Sequence, residues 1–154
     1  MSVDPIPHGY HSVTPYLIVD DAAAALDFYA KAFGAQETLR MPMGDRIAHA
    51  EMRIGNSMIM LADEFPDMGH LSPKSRGGAT CSLMIYLADV DAAFAQAIAA
   101  GATQQRAVED QFYGDRMGTL NDPFGHVWMI ATSIEDVSPD ELNRRMAAMA
   151  PANA

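Results

Sequence analysis

The order of predicted elements along the chain repeats. Residues 13–19, VTPYLIV, are rich in strand-forming side chains and end at Asp20-Asp21. The stretch DAAAALDFYAKAFGA follows, with Ala25, Leu26, Phe28, Tyr29, Ala32 and Phe33 at helical spacing, an aspartate at the start and Gly34 at the close. Three strand-like pieces come next, ETLRMPM, RIAHAEMRI and SMIMLA, separated by Gly44-Asp45 and Gly55-Asn56. Residues 63–78, DEFPDMGHLSPKSRGG, read as a linker because they concentrate Pro, Gly and Ser. The same order then returns. A strand over 80–87 and a helix within 89–101 precede TQQRAV, DRMGTL and HVWMIAT, with Asp122-Pro123-Phe124-Gly125 turning the chain between the last two.

Each β-α-β-β-β unit makes a half-open sheet with one helix on its back. Two such units must close on each other to bury their concave faces. The expectation is therefore an α+β fold: two βαβββ modules whose curved sheets form a cup, plus a C-terminal accessory helix. The N-terminal arm covers 1–12 and the single domain 13–134. Within it, module 1 is about 13–62, the linker 63–78 and module 2 about 79–134. The C-terminal helix covers 137–150, where Ser138, Pro139 and Glu141 form a capping box with proline at the first helical position.

With 154 residues and 49% hydrophobic content the chain suits one folded domain. A net charge of −10 without a basic stripe argues against nucleic acid, and is compatible with cationic small ligands. Cys81 is the single cysteine, so no disulfide framework or thiolate cluster is expected, and the apolar run TCSLMIYL around it points to a small buried hydrophobe. MSVDPIPHGYHS lacks the pattern of a signal peptide, and no apolar run has the length of a membrane span. A cytoplasmic location is expected.

The doubled unit, with DFYAKAFGA in the first helix and DPFGHVWMI at the end, resembles the vicinal oxygen chelate superfamily, the group of glyoxalase I, extradiol dioxygenases and bleomycin-resistance proteins. HAEMRIGNSMIMLADE, VEDQFYGDR and the SPDELNRRM tail look more narrowly like its PhnB-like branch. The resemblance implies a divalent metal held by His, Glu or Gln from the first and last strands of both modules. Carried over residue by residue, those positions fall on Thr14, Met60, Ser82 (or, one position away, Cys81) and Met129. None is a ligand suited to Zn²⁺, Mg²⁺, Ni²⁺ or Fe²⁺, and thioethers suit Cu(I) instead. The expectation is no metal and no other cofactor.

Period-2 alternation from those four positions brings Tyr16, Ile18, Met58, Ala62, Met84, Tyr86, Val127 and Ala131 to the same inner face. The opposite parity, Leu17, Val19, Ile59, Leu61, Leu83, Ile85, Trp128 and Ile130, packs on the helices. Thr14, Tyr16, Met58, Met60, Ser82, Met84, Tyr86 and Met129 thus form a Met- and Tyr-lined ligand surface, unless the same side chains meet and fill the space as core. Tyr113 and Arg116, with Asp115, are the polar candidates at its mouth, either orienting a ligand or bracing a loop. His49 and Glu51 alternate on one face of the third strand, as acid–base candidates or as an ordinary solvated face.

Two functions remain open. One is metal-independent binding of a small apolar or aromatic ligand, cationic ones included, by a bleomycin-resistance-like protein. The other is a glyoxalase-like lyase, isomerase or dioxygenase with a non-standard or metal-free site, using Tyr113, Arg116, His49 or Glu51. The expected partners are a small molecule and a second copy in a homodimer, with no nucleic acid and no membrane.

Overall fold

The computed structural model describes residues 3–149; residues 1–2 of the expected arm and residue 150 of the expected C-terminal helix lie outside the described residues. In chain order the elements are β1 (Tyr16–Val19), α1 (Ala22–Phe33), β2 (Gln36–Met43), β3 (Arg46–Ile54), β4 (Ser57–Asp63), α2 (Pro73–Arg76), β5 (Ser82–Tyr86), α3 (Val90–Ala100), β6 (Thr103–Asp110), β7 (Asp115–Asn121), β8 (Val127–Ser133) and α4 (Pro139–Met149). They form two four-stranded mixed sheets, ordered β1-β4-β3-β2 and β5-β8-β7-β6, each with its first strand parallel to its last. The doubled α+β unit and the C-terminal helix follow the expected architecture.

The repeat reaches down to the caps. Asp21 and Asp89 each accept a hydrogen bond from the backbone N–H three residues on, in Ala24 and Ala92, at 2.9 and 3.0 Å. Gly34 ends α1 at φ +66°, a left-handed turn that a β-carbon would strain.

Both helices cover one side of the sheets, and the two modules meet through α1 against α3. Leu17, Val19, Ile59, Leu61, Trp128 and Ile130 are buried on that side, with Leu83 and Ile85 packed against the same core. An aromatic group of Phe28, Tyr29, Phe33, Phe124 and Trp128 crosses from α1 to the second sheet. Asp122, 4% exposed, anchors it: its carboxylate accepts from Tyr29 Oη at 2.6 Å, Trp128 Nε1 at 2.9 Å, and the backbone N–H groups of Phe124 and His126. Burial and the adjacent Asp122 push the Tyr29 phenol well above its usual pKa, so it stays a donor. The two phrases that carry the family resemblance, DFY and DPFGHVW, are thus one buried joint between modules.

The linker holds a 3₁₀ turn at Pro66–Met68 and the four-residue α2, capped by Ser72 and closed by Gly77. Its first residue, Asp63, ends β4 and is buried, accepting from the N–H groups of Ala22 and Ile47 at 2.7 and 2.6 Å. Cys81 is exposed rather than buried, because β5 begins one residue later at the outer edge of its sheet.

Candidate functional site

Strand register decides which side chains share the helix-free face. Tyr16 pairs with Met60, which pairs with Glu51; Ile18 pairs with Ala62. In the second sheet Ser82 pairs with Val127, Met84 with Met129 and Tyr86 with Ala131. Residues paired across neighbouring strands point to the same side, so Tyr16, Met60, Ser82, Met84, Tyr86 and Met129 lie opposite the helices. Thr14 precedes β1 and is half-buried. Several of these groups are open: Tyr16 is 47% exposed, Met84 38% and Tyr86 61%. Leu39 and Met41, in register with Glu51 and His49, extend the face across β2 and were absent from the expected lining, although the alternation in ETLRMPM carries them.

The free edges of β1 and β5 flank a seam that holds two cavities. The larger, of about 900 Å³, runs between the arm before β1, the start of β4 and residues 83–87 of β5 and its exit. Met58, Met84, Tyr86, Phe33, Gln96 and Trp128 are among its walls, so it reaches from the open face to the helix layer. The smaller, of about 570 Å³, is bounded by Tyr16 and Ile18 on one side and by Leu71, Thr80, Cys81 and His126 on the other. His126 itself is tied across the seam, its Nε2 lying 3.0 Å from the Ile18 carbonyl oxygen.

On the first sheet His49 and Glu51 join a hydrogen-bonded chain. Tyr10 donates to Glu51 Oε2, His49 Nε2 lies 3.1 Å from Glu51 Oε1, and Tyr16 Oη lies 2.8 Å from His49 Nδ1. The hydrogen bonds from Tyr10 and His49 hold the Glu51 carboxyl below its ordinary range, so it is charged. Burial and the same carboxylate push Tyr10 up to about 12, and Tyr16 shifts upward for the same two reasons, burial first. Tyr10 carried no signal in the sequence: it sits in an aperiodic arm, 41 residues from its partner.

On the second sheet Tyr86 donates to Asp115 at 2.8 Å, a bond that raises the phenol's pKa, and Tyr113 Oη approaches Met117 Sδ at 3.5 Å. Arg116 does not join them. Its register partner is Thr132, between Ile130 and the edge, which places it on the helix side. There it grips Asp91 of α3 with two bonds of 2.8 Å and Asp110 with a third, an Asp–Arg brace of the kind expected as the alternative to orienting a ligand. Those carboxylates hold the guanidinium even further above its usual pKa.

The family model for the Glyoxalase/Bleomycin resistance protein/Dioxygenase superfamily matches residues 9–130. The chain belongs to this superfamily. The uncharacterised protein Rv0887c of Mycobacterium tuberculosis is 43% identical over 141 residues, covering 89% of this chain and 83% of its own length. The crystal structure of TioX from Micromonospora sp. ML1 superposes with a TM-score of 0.63 at 26% identity, over 83% of this chain and all of that one. A putative 3-demethylubiquinone-9 3-methyltransferase, PhnB protein, from Bacillus cereus shares the fold at 17% identity and a TM-score of 0.61, over 79% of this chain and 99% of its own.

The superfamily's metal would sit among Thr14, Met60, Ser82 and Met129. Two hydroxyls and two thioethers do not fit a hard or borderline divalent ion, which needs imidazole or carboxylate donors. Among the described residues no three His, Cys, Asp or Glu side chains converge as alternative donors. No helix among them is long and apolar enough to cross a membrane.

Proposed function

We propose that the protein is a metal-independent member of the superfamily, in its PhnB-like branch, that binds a small apolar or aromatic ligand along the seam between its modules. The observation that carries this reading is the larger cavity, where Met58 of one sheet meets Met84 and Tyr86 of the other. Methionine and tyrosine present polarizable, adaptable surface to flat apolar molecules without fixing one shape. The donor set at the family's metal positions supports metal independence, because it offers no charge to an ion and no basic nitrogen.

The exposed Leu39, Met41, Met84 and Tyr86 also support a homodimer in which a second copy covers part of this face. The exposed, unpaired Cys81 suits the reducing cytoplasm. A second reading, metal-free acid–base chemistry, rests on the Tyr10–Glu51–His49–Tyr16 chain, and conversion of a bound ligand would favour it.

Trp128 is the chain's one tryptophan and forms part of the cavity wall, so its fluorescence responds to a ligand bound there. Titration with a panel of aromatic and cationic compounds is expected to give saturable changes without turnover. An unresponsive Trp128 across the panel, or a stoichiometric divalent metal held by the strand residues, overturns the proposal. Light scattering tests the dimer, with a monomer mass as the contrary result.

A further inference from the structure

The hydrogen-bonded chain on the first sheet has a direction, and its exposed end is Tyr16. Glu51 is an acceptor only, so it takes hydrogens from the Tyr10 phenol and from His49 Nε2. A neutral imidazole protonated at Nε2 leaves Nδ1 as an acceptor, and the Tyr16 hydroxyl fills it. The His49 and Glu51 side chains are 22% and 19% exposed, whereas Tyr16 is 47% exposed and lines the smaller seam cavity. The charge therefore sits at the sheltered end. A phenolic oxygen, its proton already committed, is presented at the open end.

Such an oxygen has free lone pairs and no hydrogen to give. Its electron density is raised by the carboxylate two hydrogen bonds behind it, since hydrogen bonds in series polarise one another. We infer that Tyr16, backed by His49 and Glu51, is the polar anchor of the ligand site, accepting a hydrogen bond from an ammonium head whose apolar body lies along the seam. This rests on the binding reading above and adds the ligand's polar group to it. Among the described residues Glu51 has no ion-pair partner other than His49, so its charge is uncompensated by any lysine or arginine, which favours a cationic head and disfavours a carboxylate. Fastening the arm requires only Tyr10 and Glu51. His49 and Tyr16 add nothing to that fastening, and Tyr16 lines the smaller seam cavity.

Three naphthalenes of one shape separate the contributions: 1-naphthylmethylamine, 1-methylnaphthalene and 1-naphthoate, titrated calorimetrically into wild type and Tyr16→Phe. The amine is expected to bind wild type about tenfold tighter than the hydrocarbon, the yield of one charge-assisted hydrogen bond. The acid is expected to bind most weakly. In Tyr16→Phe the amine and the hydrocarbon are expected to bind alike. An amine with no advantage in wild type, or one that keeps its advantage in Tyr16→Phe, overturns the anchor and leaves apolar binding standing; so does a carboxylate that binds as tightly as the amine. Failure of all three to bind overturns both. Nitrogen NMR of the imidazole gives a reading without ligand: protonated Nε2 and bare Nδ1 at His49 are expected, and the opposite tautomer contradicts the relay.

Discussion

The two modules place their residues in matching seats and fill those seats with opposite chemistry. The row Leu17–Leu61–Ala50 in the first sheet corresponds to Ile85–Ile130–Gly118 in the second, counting back from the capping aspartates. One row over, Tyr16, Met60 and Glu51 correspond to Met84, Met129 and Thr119; beyond them, His49 corresponds to Met117. The helix-facing rows stay apolar in both. On the open face the first module carries an acid, an imidazole and a phenol, and the second puts two thioethers and a threonine in their places. Packing against the helices demands apolar side chains in the first set of seats, and no such constraint acts on the open faces. The result is a seam whose first wall carries the Glu51–His49–Tyr16 chain and whose second carries methionines beside the Tyr86–Asp115 pair.

The joint between modules is where that comparison breaks hardest. Asp122→Ala leaves four donors from both modules without their acceptor in a dry setting, and is expected to cost about 3 kcal/mol or more in denaturant unfolding. By contrast, Glu51→Gln on the open face is expected to lower stability by only about 1 kcal/mol. Equal losses would mean that the relay is as structural as the joint.

Matched seats under the helices give the next effect. A β-carbon at Gly118 would lie 2.7 Å from the Phe94 ring of α3, whereas Ala50 already fits beneath α1. Gly118→Ala is expected to destabilise by about 1–3 kcal/mol through overpacking. Its mirror, Ala50→Gly, is expected to cost about 1 kcal/mol through backbone entropy and lost contact. Thermal melts of the two variants check the order.

Acid distinguishes the sheets more gently. The folded pKa of Glu51 lies below its unfolded value of 4.5, so the arm's attachment is complete above that pH and is lost as the pH falls through the folded value. Hydrogen exchange at Tyr10 is expected to accelerate in acid and, at neutral pH, in Tyr10→Phe, while amides of β7 keep their protection. The smallest change belongs to α4. Arg144 and Arg145 lower Glu141 from 4.5 to about 2, so its contribution is full above 4.5 and fades between those values as pH falls, visible as fraying of the helix by NMR.

The fold was legible because its signals are local. Aspartate caps, closing glycines and period-2 strands named the elements, and of the side chains assigned to the helix face all are buried there except Leu83 and Ile85, which are partly buried. What escaped depended on phase or distance. The bend at QFYGD leaves the parity of β7 unfixed, and a shift of one residue sends Arg116 to α3 instead of the open face. Cys81 sits in a run apolar enough to read as core, yet it precedes an edge strand beside the seam. PKSR is too short to show helical periodicity. Neither Tyr10 nor the tie it makes to Glu51 could be found without the fold, since nothing in an aperiodic arm names a partner so far along the chain.

Binding without a metal is most directly tested by titrating 1-naphthylmethylamine into chelator-dialysed protein, following Trp128 emission, and repeating after Zn²⁺, Ni²⁺ or Fe²⁺ is restored. Saturable binding with the same dissociation constant in both states, and no consumption of the amine, is the expected result. Binding or turnover that appears only once metal is present, or no binding in either state, would contradict it.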